Sequence, residues 1–265
     1  MGKEAHQLVC QLAFETLPPT AQQQINKIVS NVPSKERYRI NRYLQREDNA
    51  PIRFTHLCNW ADAIKGDNSF QRYNSWHYAN MPRRAITIND MYCQQKKFCL
   101  ISAIEFHLGQ LASTSMPHKR WQPLAFLGHW LGDLHQPLHL GFYDDRGGNR
   151  IPINSKLDNC RNLHALWDYC LLALLTKVDF AVIYLSLALD VTSAEKIDIS
   201  AWAFETAQLT RATNIGYCTM KQNVCHPPLT AVLFNSQYLN DNKTLYIQQL
   251  IRAAKRLNGV LQRHL

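Results

Sequence analysis

Apolar residues return at three- and four-residue intervals along most of this 265-residue chain, and that spacing admits helices and little else. Val9-Leu12-Ala13 sets the pattern, and Pro18-Pro19 ends the first segment. Thr20 is placed to cap a second helix with Ile25, Ile28 and Val29 on its apolar side. Residues 34–47 read as a basic amphipathic helix carrying Lys35, Arg37, Arg39, Arg42 and Arg46. Further helices are expected from Thr87 to about Ala112, from Lys119 to Leu134, from Arg161 to Leu175, and over 193–214 and 243–262. The strand candidates Ala181–Leu187 and Ile151–Ile153 are short and isolated. Gly, Pro and Asn concentrate in residues 141–160, which predicts one long loop of the kind that carries function. No internal repeat or linker-like break interrupts the chain, so the expectation is one all-α domain over residues 1–265.

Composition narrows the class further. Hydrophobic residues make up 46%, Gly only 10 and Pro 11 residues, which excludes collagenous, low-complexity and disordered chains. The greasiest stretch, Leu163 to Leu189, is broken by His164, Asp168, Lys177 and Asp179, so no membrane span and no stable membrane association are expected. The amino end, Met-Gly-Lys-Glu-Ala-His, lacks the apolar run of a signal peptide and reads as cytosolic or as an already mature form.

The cysteines decide between those. None of the 8 falls in a Cys-x-x-Cys pair, which removes support for a thiolate zinc site or a thioredoxin-like motif. Disulfides explain them better than buried thiols do, because local pairs such as Cys93/Cys99 and Cys218/Cys225 close easily. Disulfides imply an oxidising compartment, hence a secreted or periplasmic protein in its mature form. The net charge of +9 suits a polyanionic partner but does not identify one.

Histidines and aspartates cluster between residues 129 and 168: His129, Asp133, His135, His139, His164 and Asp168. His129–Asp133 and His164–Asp168 are His-x-x-x-Asp pairs on expected helices, where positions i and i+4 share a face. Apolar residues surround the first pair in Leu124-Ala-Phe-Leu-Gly-His-Trp-Leu-Gly-Asp-Leu. A buried charge must be paired or bind a metal, and imidazole with carboxylate is a zinc ligand set. Pro137, in His135-Gln-Pro-Leu-His139, should break the helix and turn His139 towards a different ion.

Phe-Leu-Gly-His129-x-x-Gly-Asp133-x-x-Gln-Pro-Leu-His139, then Gly147-Gly148-Asn149, then Asn162-Leu-His164-x-x-Trp-Asp168 resembles the trinuclear-zinc nuclease family. That family holds the S-one and P-one nucleases, the plant bifunctional nucleases and the 3′-nucleotidases. The resemblance extends upstream to Cys58-Asn-Trp-Ala-Asp62, to Trp76-His77-Tyr78 and to His6. It implies the all-α fold shared with zinc-dependent phospholipase C and three Zn²⁺ ions. Asp62, His77, His129 and Asp133 would hold the first ion, and His139, His164 and Asp168 the second. His6, the shared Asp133 carboxylate, and the amino nitrogen and carbonyl oxygen of Met1 would hold the third. Family members carry Trp at that first position. The implied ligand atoms are backbone, so Met1 serves if its α-amino group is free.

The resemblance also implies a reaction. A zinc-activated hydroxide would attack phosphorus in single-stranded DNA or RNA, releasing 5′-phosphorylated products, and would act on 3′-nucleotides as well. Asp62 would orient the nucleophile, and Lys65 and Asn149 would contact the phosphate. Tyr78 would stack on an unstacked base and Asn80 would read its edge, Asn80 standing where fungal members carry Asp. Cys10/Cys58 and Cys93/Cys99 resemble disulfides of plant members, whereas Cys160/Cys170 and Cys218/Cys225 are assigned by proximity in sequence. His135 has no family role and reads as supporting a ligand or lying at the surface. A monomer is expected. The alternatives are a zinc-dependent phospholipase C, against which Asp168 stands where that branch uses Glu, and a non-catalytic metal-binding homologue.

Overall fold

A computed structural model describes residues 1–85, 87, 98–155, 160–189, 196–222 and 224–265, and most of these are helical. The central element is α7 (Pro117–Leu134), in which every residue from Pro123 to Leu134 is buried. A helix apolar on all sides has to be wrapped by others. Four of them do the wrapping: α1 (Lys3–Glu15), α2 (Pro19–Ser30), α6 (Leu100–Ala112) and α11 (Ser236–His264). Between them α3 (Ser34–Tyr43), the single turns α4 (Phe54–Leu57) and α5 (Trp60–Ala63), and a 3₁₀ stretch Asn68–His77 close one end. The second half adds α8 (Leu163–Ala173), α9 (Lys177–Leu189) and α10 (Ile199–Leu209). One hydrophobic cluster runs through all of this, from Met1 to Leu261.

Several expected boundaries move, each for a local reason. The second helix starts at Pro19 with Pro18 before it and no side-chain cap, so Thr20 is inside the helix rather than capping it. Proline at the first helical position lacks an N–H that would have been unpaired anyway. Of the expected helix from Thr87 to about Ala112, residues 88–97 lie outside the described residues; a helix runs Leu100–Ala112, preceded by Cys99, which is extended (φ −145°) with its N–H held by Ser102 Oγ at 3.0 Å. Ala181–Leu187 is helix, not strand. Ile183 and Leu187, one turn apart, face the core, while Val182 and Leu185 face solvent. The last helix opens at Ser236, earlier than residue 243, where Asn235 Oδ1 accepts from Tyr238 N at 2.9 Å.

Strands are few. β1 (Ile153–Asn154) pairs in parallel with β4 (Val232–Leu233), Ile153 opposite Val232, and β2 (Thr219–Lys221) pairs antiparallel with β3 (Val224–His226). Disulfides join Cys10 to Cys58, Cys160 to Cys170 and Cys218 to Cys225. Cys93, half of the expected Cys93/Cys99 bridge, lies outside the described residues. Among the described residues no single helix is long and apolar enough to cross a membrane.

Candidate metal centre

Six separate segments converge on one buried point. α1 brings His6, α5 brings Asp62, the 3₁₀ stretch ending at His77 brings that residue, α7 brings His129 and Asp133, and α8 brings His164 and Asp168. After Asp133 the helix stops at Leu134, and a 3₁₀ turn Pro137–Leu140 delivers His139 from a different direction. Three groups form, each with ligand atoms within 4.8 Å of one another: Asp62, His77 and His129; His6, His129 and Asp133; and His139, His164 and Asp168.

Asp133 links them. Its Oδ2 lies 3.0 Å from His77 Nδ1 and 3.2 Å from His129 Nε2, while its Oδ1 lies 3.2 Å from His6 Nε2 and 2.9 Å from the Met1 amino nitrogen. The Met1 nitrogen is also 3.1 Å from His139 Nε2. His164 Nε2 is 3.3 Å from Asp168 Oδ2, a contact that spans a π-helical turn, Leu166–Cys170, rather than regular α-helix. π-turns of this kind concentrate at functional sites.

Backbone carbonyls orient three of the rings. His129 Nδ1 bonds the Cys58 carbonyl at 2.8 Å, His139 Nδ1 that of His77 at 2.8 Å, and His164 Nδ1 that of Gly147 at 2.7 Å. Each bond fixes the tautomer and turns the Nε2 lone pair inward. Burial pushes His6 and His77 down to about 3, so both are neutral imidazoles at ordinary pH. Burial alone would raise Asp133, but the amino terminus, His139 and His129 outweigh it and hold the carboxyl well below its usual range. Asp168 is held low in the same way, by the amino terminus and His164 against burial.

Several buried atoms here make no hydrogen bond among the described residues: both nitrogens of His6 and His77 Nε2. Buried polar atoms left without partners carry a large desolvation cost, and neutral imidazoles beside ionised carboxylates are the donor set of a borderline-soft divalent ion. The residues present therefore fit bound metal.

Lys65, Tyr78, Asn80 and Asn149 line one cavity of about 500 Å³ together with Asp62, His77, Asp133, His139, His164 and Asp168. His6 and His129 stand behind its wall, fully buried, with their rings stacked 3.7 Å apart. Lys65 Nζ is 2.6 Å from Asp62 Oδ1, and this carboxylate raises the ammonium pKa against the effect of burial. Tyr78 is 43% exposed in the cavity, and Asn80 Oδ1 is buried without a partner among the described residues.

A family model for the S1/P1 nucleases matches residues 1–265. The chain belongs to the S1/P1 nuclease family. Among relatives, Endonuclease 5 of Arabidopsis thaliana is 37% identical over 125 residues, covering 42% of this chain and 41% of its own length. Endonuclease 2 of the same plant is 28% identical over 177 residues, 63% of this chain and 54% of its own. Nuclease S1 of Aspergillus oryzae is 28% identical over 128 residues, 46% and 42% respectively. The chain thus spans about half the length of the curated relatives it matches.

Within this S1/P1 family site, sequence reasoning missed two supports. Tyr43 donates its hydroxyl to Asp62 Oδ2 at 3.1 Å, reaching in from the end of α3 with no local motif to announce it. Gln136 donates to Asp168 Oδ1 at 2.8 Å and accepts from Leu138 N at 2.6 Å. Its place between His135 and Pro137 was the available signal. His135 is not at the surface. It is fully buried, with Nδ1 on the Leu131 carbonyl at 2.7 Å and Nε2 facing Arg256 at 2.9 Å, and it ties α7 to α11.

Proposed function

We propose that this S1/P1 family chain is a zinc-dependent endonuclease of single-stranded DNA and RNA that leaves 5′-phosphorylated products and also hydrolyses 3′-nucleotides. The observation that carries this reading is the set of three His/Asp groups, joined through the contacts of Asp133 to His6, His77, His129 and His139, at the floor of a cavity lined by Lys65, Asn149 and Tyr78. Three Zn²⁺ ions would be held by Asp62, His77, His129 and Asp133; by His139, His164 and Asp168; and by Met1, His6 and Asp133. Bound there, zinc would lower the pKa of water towards neutrality and offset negative charge growing on oxygen.

The chain's own residues supply the rest. Asp62, held by Tyr43 on one oxygen and Lys65 on the other, is fixed to orient the attacking water. Lys65 and Asn149 are the donors available to the phosphoryl oxygens as their charge increases. Tyr78 offers a face for one unpaired base, and the unsatisfied Asn80 Oδ1 an acceptor for its edge. A duplex base is already stacked, which favours single strands. The disulfides among the described residues support a secreted or periplasmic setting, where one domain over residues 1–265 would act as a monomer without stable membrane association.

Hydrolysis of single-stranded DNA, RNA, 3′-AMP and phosphatidylcholine, with and without chelator, tests this together with zinc content per chain. Turnover of the first three, lost on chelation and restored by Zn²⁺, is the expected result. Turnover of phosphatidylcholine alone would reassign the site to lipid phosphodiesters, and no metal-dependent turnover would leave only metal binding.

A further inference from the structure

Three arginines meet at the loop that carries Asn149, and two of them are consumed in holding it. Arg83 donates through Nε to Asp144 Oδ2 at 2.8 Å and through Nη2 to Asp145, while Arg150 Nη1 bonds the Asp144 carbonyl at 3.0 Å. Asp145, buried, also accepts from Gly148 N at 2.7 Å and from the Tyr217 hydroxyl at 2.6 Å. Both acids of the loop are therefore occupied. The remaining arginine, Arg146, is exposed, and no carboxylate among the described residues pairs with it.

Its backbone is unusual. Arg146 sits at φ +59°, ahead of Gly147 at +65° and Gly148 at +81°. A long side chain enters that region rarely and stays only where its surroundings impose it, most often at functional sites. Here the Arg146 N–H bonds the Tyr143 carbonyl at 3.2 Å, and its own carbonyl accepts from Asn149 Nδ2 at 2.8 Å. The next carbonyl, of Gly147, orients His164. Arg146 is thus presented by a rigid loop, one residue from a candidate ligand's support, and it lines the same cavity as Lys65 and Asn149.

A 3′-nucleotide has one phosphate and one base, and Lys65, Asn149, Tyr78 and Asn80 already account for both. A strand has a second phosphate. Resting on the nuclease reading above, we propose that Arg146 binds the phosphate adjacent to the scissile one, and so makes the cavity favour a strand over a mononucleotide. The planar guanidinium fork matches two phosphate oxygens, which an ammonium does not.

Arg146→Asn removes the charge with a residue that tolerates the left-handed backbone, and Arg146→Lys keeps the charge without the fork. The ratio of kcat/KM for a short oligothymidylate to that for 3′-AMP should fall roughly tenfold in Arg146→Asn and less in Arg146→Lys. Binding of a phosphorothioate oligothymidylate, followed by fluorescence anisotropy against salt, should lose about 0.7 from its log–log slope in Arg146→Asn alone. An unchanged ratio and slope would overturn the proposal, and so would equal losses on both substrates, which would put Arg146 on the scissile phosphate. If the wild type cleaves neither substrate, the nuclease reading fails, and the salt slope still decides whether Arg146 grips a strand.

Discussion

Opening the Cys10–Cys58 bridge should cost this protein more than opening Cys160–Cys170 or Cys218–Cys225. It joins residues 48 apart, against 10 for Cys160–Cys170 and 7 for Cys218–Cys225. Loop-closure entropy in the unfolded chain then predicts losses of about 4, 2.7 and 2.4 kcal/mol. Packing widens the gap, because both Cys10 and Cys58 are fully buried and their sulfurs fill the space against Gly128, leaving a void when removed. The bridge also ties two parts of the centre together. Cys10 lies one helical turn beyond His6, and the Cys58 carbonyl orients His129. Paired alanine substitutions, unfolded in urea with chelator present so that bound metal does not contribute, give the comparison. With a slope of about 3 kcal/mol per molar, the Cys10/Cys58 midpoint should fall roughly 0.5 M further than the Cys218/Cys225 midpoint. Metal content without chelator should drop in the first variant and not in the last. Equal midpoint shifts, or a larger one for Cys218/Cys225, would refute the reasoning from loop length and position.

Other consequences are as direct. A Cβ on Gly132 would lie 2.6 Å from His6 Nδ1 and 2.9 Å from its Cε1, so Gly132→Ala should push His6 aside, costing about 1–3 kcal/mol and one metal per chain by elemental analysis. Gln136→Leu removes the donor to Asp168 Oδ1 and should weaken metal retention roughly 10- to 100-fold in chelator competition. An unchanged affinity would show that Gln136 only braces the turn. In the metal-free protein, His6 and His77 titrate at about 3 but near 6.5 once unfolded, so the unfolded state binds more protons between those values. Stability should therefore fall as pH drops below about 6.5, with the depressed Asp133 and Asp168 adding to the loss at still lower pH. The raised amino group of Met1 has the opposite sign, its contribution being present below pH 8.0 and lost as pH rises through its higher folded value. Denaturation midpoints measured across pH would contradict this if acidification stabilised the chelated protein.

The periodicity of apolar residues was enough to read the class and most helices, because the helices packed around α7 bury a stripe that recurs every turn. It failed where local geometry departs from that rule. Val182, Ile183 and Tyr184 have strand-like side chains, and only the burial of Ile183 and Leu187 one turn apart shows the helix. The π-turn in α8 has no sequence signature at all. At the centre, the His-x-x-x-Asp spacings made two pairs legible, and the structure brings the remaining candidate ligands His6, Asp62, His77 and His139 to the same point. Tyr43 was illegible because it reaches Asp62 through tertiary packing. His135, expected to support a ligand or lie at the surface, is buried and faces Arg256.

The position of two glycines explains how so polar a centre is held inside an apolar bundle. Gly128 and Gly132 are four residues apart on α7 and so share one face, beside the face that carries His129 and Asp133. A methyl group at Gly128 would strike the Cys58 and Cys10 sulfurs, and one at Gly132 would strike the His6 ring. The two hydrogens open a groove into which α1 settles. That close approach is what stacks His6 on His129 and brings its Nε2 within 3.2 Å of Asp133. The disulfide fastens α1 at the same depth, one turn from His6. Two small residues and one covalent bond thus set the spacing on which the His6, His129 and Asp133 group depends, and a change at either glycine should disturb metal binding before it disturbs the fold.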